Sequence, residues 1–160
     1  MADIQIALLR DQLARAFDTR AWHGPNLMGS LRGVDREIVA WRPQPPRHNI
    51  AELVVHAAYW KYRIHRLLSD APPRSFDLPG SNFFSRPDIP SPAEWNADLD
   101  RLRSWHGRLL TAVDAFATER LTQQAGQSRF SYTELIAGAA AHDLYHAGQI
   151  QLIKRLYADR

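Results

Sequence analysis

Three times along this chain a capping residue stands three positions ahead of a glutamate: Asn49 before Glu52, Ser91 before Glu94 and Ser131 before Glu134. In such a capping box the first side chain takes up an orphan amide at a helix start, and the glutamate reaches back to the cap. Pro92, directly after Ser91, occupies the first helical position, where its missing N–H is harmless. The pattern predicts helices over 50–70, 92–118 and 132–158. An earlier helix is predicted from Ile4 to Thr19, where Ile6, Leu9, Leu13, Ala16 and Phe17 recur at helical spacing. Gly24-Pro25 should interrupt or kink the chain. Apolar residues resume at Leu27, Met28 and Leu31, stop at Gly33, and a short helical piece is expected around Asp35–Ala40. Trp41 to Pro46 carries prolines at 43, 45 and 46 and reads as a loop. No stretch sustains the period-two alternation of a strand. The Pro-rich segment 71–90 is long for a connection in a compact domain and reads as a lid or a packed surface loop. Four long helices with one-sided apolar stripes bury those stripes best against each other. The expected fold is all-α, a four-helix bundle spanning 1–160 as a single domain.

Composition narrows the function. There is no cysteine, so disulfides, thiolate ligands and a cysteine nucleophile are excluded. The net charge is +3, but the arginines are scattered and no nucleic-acid-binding motif accompanies them, so no nucleic-acid partner is expected. No apolar run approaches the roughly 20 residues of a membrane span. The first residues have neither a basic n-region nor an apolar h-region, so no secretory signal is expected. A cytoplasmic location, with no membrane partner, follows as the expectation.

The residues that carry chemistry are histidines. His142 and His146 are four apart in the last predicted helix, a spacing that puts both imidazoles on one face. On a helical wheel Leu135, Ala139, His142, His146, Gln149, Ile153 and Tyr157 share a narrow face, which reads as the core stripe. His56 falls with Leu53, Trp60, Arg63 and Leu67 on the earlier helix. A lone histidine on an apolar face is more often a hydrogen-bonded core residue than a ligand. Two on one stripe are harder to explain so, since burying two imidazoles needs two sets of partners. His56, His142 and His146 are therefore the predicted metal ligands. Imidazole suits zinc, nickel, iron or copper, and one divalent ion per chain, zinc or nickel first, is expected. Three protein ligands with open positions is the catalytic pattern, four the structural one.

Other residues are secondary. His23, beside the Gly-Pro kink, is a candidate fourth group. His48 is expected to be exposed, His65 lies about 180° round the helix from His56, and His106 sits in a polar stretch. His142-Asp143-x-x-His146 echoes the zincin pattern H-E-x-x-H, but Asp is a methylene shorter and no further zincin feature is visible. That leaves Asp143 to orient a histidine or meet solvent. Glu52, one turn before His56, is explained by its capping box. Arg63 could pair with a substrate carboxylate, although a snorkelling surface arginine is the commoner explanation. Gln149 stands behind His146, Tyr59 and Trp60 could wall a pocket, and Phe83 and Phe84 of the long loop could close over it.

These motifs resemble the DinB/YfiT-like superfamily. His142-x-x-x-His146 followed by Gly148-Gln149-Ile150 looks like its C-terminal signature. His56, within Glu52 to Trp60, looks like its helix-two metal ligand, and Trp22 to Leu27 looks like the first-helix motif of one branch. The resemblance implies an up-down-down-up bundle, a divalent metal on three histidines and often a homodimer. It does not fix a reaction: some relatives transfer low-molecular-weight thiols such as bacillithiol or mycothiol, and others look like hydrolases or isomerases. The expectation is a metal-dependent enzyme of thiol S-transferase or hydrolase type. It would activate water or a co-substrate thiol, because the chain has no thiol of its own. The alternative is a non-catalytic metal- or ligand-binding bundle acting as a dimeric sensor or interaction protein.

Overall fold

A computed structural model describes residues 3–69 and 75–160. The long helices are α1 (Ile4–Phe17), α4 (Ile50–Leu68), α5 (Pro92–Asp114) and α6 (Tyr132–Ala158). Two short ones, α2 (Leu27–Ser30) and α3 (Arg36–Ala40), lie between α1 and α4, and a 3-10 turn spans Thr118–Arg120. No strand forms among the described residues; one isolated bridge joins Gln124 to Ser131. The all-helical expectation therefore holds. The predicted end of the second long helix at residue 70, and Pro72 and Pro73 of the long loop, lie outside the described residues.

Two of the three capping boxes are complete. Ser91 and Ser131 each accept the amide three residues on, and Glu94 and Glu134 return the bond. The third is half a box. Asn49 accepts the Glu52 amide at 2.9 Å, but the Glu52 carboxylate turns away to Arg42, His48 and the Arg86 amide. Burial opposes its ionisation, but the Arg42, His48 and Arg86 hydrogen bonds prevail and hold this carboxyl down at about 2. Glu52 thus ties the loops on either side of α4 to its first turn, a role that capping alone does not describe.

α5 ends at Asp114 rather than near 118. Phe116, Leu121 and Ala125 turn inward, and Phe116 packs on Tyr132 with ring centroids 4.7 Å apart. Burying these side chains draws the backbone off the helical path.

The long helices form a four-sided arrangement in which α4 packs on α5 and α6, and α1 packs on α5 and α6. Two apolar clusters fill it. One gathers Phe17 of α1, the first half of α4, Leu102 and Trp105 of α5, and Ile150 and Ile153 of α6. The other gathers Ile6 to Ala16 of α1, Ile64 and Leu68 of α4, Leu109 and Val113 of α5, and Tyr132 to Ala140 of α6. The first half of α4 is buried nearly all round, because segment 75–90 covers the side that the other helices leave open. Phe76 and Phe84 of that segment are buried against Tyr59, with centroids 5.4 and 5.5 Å away. Fully buried side chains such as Val54 and Val55 each contribute about 1.5–3 kcal/mol. Segment 75–90 is therefore a packed wall of the core.

Candidate metal centre

α4 and α6 face one another, and the three predicted histidines meet between them. His56 Nε2 lies 3.2 Å from His142 Nε2, which lies 2.9 Å from His146 Nε2. The other ring nitrogens are held from behind. His56 Nδ1 donates to the backbone carbonyl of Asn82 at 2.8 Å, and His146 Nδ1 donates to Gln149 Oε1 at 2.6 Å. A carbonyl oxygen can only accept, so these bonds put the protons of both rings on Nδ1 and leave bare lone pairs at Nε2. Those lone pairs point at His142 Nε2, which as a neutral ring can donate to only one of them.

Three convergent nitrogens with at most one proton among them could hold a cation. The separations of 2.9 and 3.2 Å are less than twice a zinc–nitrogen bond of about 2.0–2.1 Å, and the three ligand atoms all lie within 4.8 Å of one another, a spacing compatible with one shared ion. Among the described residues, His56, His142 and His146 form the group able to hold a metal ion. All three rings are kept neutral, the ligating form. Burial lowers His56 despite its bond to Asn82. Burial, then the neighbouring rings and Lys61, lowers His142 to about 3. Burial prevails over the Gln149 bond to lower His146 to about 4.

The loop that reads as a possible lid supplies the back of the site. Phe83 stacks on His56 at 3.9 Å between centroids and on His48 at 3.7 Å. Asn82 takes a left-handed φ of 64°, a conformation that Asn tolerates better than most residues. That turn aims its carbonyl at His56, while its side chain accepts from Trp60 Nε1 at 3.0 Å.

A family model described as the DinB superfamily matches residues 19–150. The chain belongs to the DinB superfamily. No curated protein and no solved structure matches it.

Several secondary expectations change in this DinB-superfamily chain. The buried stripe of α6 takes in Ala139, His146 and Ile153 of the predicted face together with Ile136, Ala140, Asp143, Ala147 and Ile150, so the core is centred to one side of that face and leaves Leu135, His142, Gln149 and Tyr157 half-buried at its edge. His142 is only half buried, because it borders two cavities. His23 stays apart: it is exposed and lines a shallow hollow with Pro25, Leu144 and Gly148 on another side of α6. Arg63 is exposed, leans toward the Tyr59 hydroxyl at 3.4 Å, and borders neither cavity beside the triad. His48 is exposed as expected, yet tied to Glu52 at 2.8 Å. His65 packs on Trp105 away from the triad.

His106 overturns the reading of its surroundings as polar. It is 4% exposed and stacked on Phe17 at 3.7 Å. Asp143 neither orients a histidine nor meets solvent. It is 1% exposed and accepts from the equally buried Lys61 Nζ at 2.6 Å. Burial pushes the Asp143 carboxyl up, against the pull of Lys61.

Sequence reasoning missed Lys61, Asn82 and the Arg42–Glu52 pair. A signal existed for the first: Asp143 lies at helical spacing among Ala139, Ala140, Ala147 and Ile150, where a carboxylate needs a buried cation.

Proposed function

We propose that this chain is a metal-dependent enzyme in which His56, His142 and His146 hold one divalent ion, zinc or nickel, beside two substrate cavities. The observation that carries this reading is the convergence of lone pairs fixed by Asn82 and Gln149. Support also comes from access. A cavity of about 580 Å³ and another of about 1030 Å³ both border His56 and His142. Both are of the size that holds small molecules.

The three histidines would hold a divalent ion, whose chemistry there would be to bring the pKa of a thiol or water down toward neutrality. The chain's own residues do the rest. Gln149 and Asn82 hold two rings in the ligating tautomer, and Phe83 covers one face of His56. The larger cavity, with Arg47 and His48 on its wall, admits the polar co-substrate. In the transfer form a low-molecular-weight thiol gives its proton to solvent water, sulfur bonds to the electrophilic atom, and the leaving group departs with the electron pair of the bond broken. In the hydrolytic form water is added across the bond broken.

An up-down-down-up course is part of the same reading. The first half of α4 shares a cluster with the last residue of α1, while the second half shares the other cluster with earlier α1 residues. A homodimer is also proposed. Exposed Tyr145, Leu152 and Leu156 lie on one side of α6, along the rim of the larger cavity, and offer an apolar stripe on which a second copy would border that cavity. A cytoplasmic setting fits a thiol co-substrate; no helix among the described residues is long and apolar enough to cross a membrane.

The test is elemental analysis of untagged protein, then assays of thiol–electrophile conjugation and of ester and amide hydrolysis. Stoichiometric metal with turnover that needs it is the expected outcome. Absence of bound metal after incubation with zinc and with nickel sinks the proposal. Bound metal with flat activity across the panel leaves the non-catalytic binding module.

A further inference from the structure

The two cavities that meet at the triad differ in chemistry, and the difference specifies a ligand for the smaller one. Its walls include Trp60, Ile64, Phe130, Leu135, Gly138 and Ala139. The charged groups on its lining already have partners. Lys61 is bonded to Asp143, and the Glu134 carboxylate accepts from the Ser131 amide and hydroxyl at 2.7 and 2.8 Å. An anionic ligand would find no free cation there, and the apolar walls would take hydration from a charge of either sign.

Gly138 lies on the same wall. It lies inside α6, where glycine costs about 1 kcal/mol relative to alanine. Its φ is not in the left-handed region, and a Cβ built on it would meet nothing within 4 Å. Neither backbone conformation nor helix packing requires glycine at this position. It is an exposed position on the cavity wall, from which a larger side chain would project.

We infer that the cavity between α4 and α6 binds an uncharged, largely apolar small molecule, presented edge-on to His56 and His142. This rests on the proposed function only in making that molecule the substrate; the binding itself needs no metal. The larger cavity, with Arg47 and His48 on its wall, takes the polar partner, so the two reactants reach the triad from different sides.

The test is a fluorescence titration of the full chain with N-phenyl-1-naphthylamine, an uncharged apolar probe, with and without added zinc. Saturable binding of one probe per chain is expected. Gly138→Leu, which fills the cavity, should weaken it about tenfold or more. Leu135→Asp, at a half-buried wall position, should do the same by adding a charge. Trp22→Ala, which removes a side chain 96% exposed elsewhere, should change nothing. The anionic analogue 8-anilinonaphthalene-1-sulfonate should bind about tenfold more weakly than the neutral probe.

His146→Ala separates the two proposals: metal should be lost and probe binding kept. The inference is overturned if no saturable site exists, if folded Gly138→Leu and Leu135→Asp bind the probe as well as the unsubstituted chain, or if the sulfonate binds equally well.

Discussion

The triad and His106 are two sets of buried histidines in one bundle, and they behave in opposite ways. His106 lies on α5, stacked on Phe17, and neither ring nitrogen has a hydrogen-bond partner among the described residues. Burial, then the positive charges of Lys61 and Arg10, lowers it to about 3. His142 is lowered to about the same value, also by burial first. Burial and neutrality are thus common to both sites. The triad differs in convergence and in having two rings whose far nitrogens are held by fixed acceptors. Burial makes an imidazole available as a ligand; only orientation by a second element makes a set of them a site. The Lys61–Asp143 pair lies between the two, since the Lys61 charge acts on both His106 and His142.

The sharpest way to break the comparison is to remove one histidine from each set. His146→Ala should abolish stoichiometric metal binding, whereas His106→Leu should leave it unchanged, read by elemental analysis after dialysis. Equal metal in both variants would dissolve the distinction.

Next in size is the pair between them. Lys61→Met leaves Asp143 buried without its cation and should destabilise the fold by about 3–5 kcal/mol. Adding Asp143→Leu should restore most of that loss, measured by urea unfolding of the metal-free protein. No recovery in the double variant would show that Lys61 acts through packing on Phe17 rather than through charge.

Orientation is tested at Gln149. Replacing it with Leu removes the acceptor for His146 Nδ1 and should weaken metal binding about 10–100-fold, measured by competition with a chelator. The same substitution should leave the unfolding midpoint of the metal-free protein nearly unchanged.

The smallest effect is a pH dependence. His106 has a depressed folded pKa, so its contribution is fully present above the unfolded value near 6.5 and is lost as pH falls toward about 3. Between pH 7 and pH 5 the unfolded chain takes up a proton that the folded chain refuses, a loss of about 2 kcal/mol. His106→Leu should remove about that much of the pH 7 to pH 5 difference in unfolding free energy. His142 and His146 contribute with the same sign in the metal-free protein, and bound metal should hold their share down to lower pH. An unchanged pH difference in His106→Leu would mean that this ring already binds its proton in the folded state.

Helix starts were legible because capping is local: Ser91 and Ser131 need only their own next turn. The Asn49 box failed as a box for the opposite reason, since Glu52 is claimed by Arg42, ten residues back, and by the Arg86 amide of the long loop. The triad was legible because i,i+4 spacing is set by the helix itself, and the apolar setting of His56 marked it as inward. The setting of His106 was not legible. Its flanking arginines and serine are polar, and only the approach of Phe17 from α1 makes its side of α5 interior.

The sequence by itself determined that the chain is helical, where its long helices begin, and which three histidines could share an ion. These depend on backbone periodicity and capping, which act over a few residues. Tertiary structure alone decided which acceptors fix the rings, that Lys61 meets Asp143, and that two chemically different cavities open onto the triad. Those outcomes join α4 to α6 and to the loop carrying Asn82. They follow from close packing between elements far apart in the chain, whose mutual rotation no local pattern records.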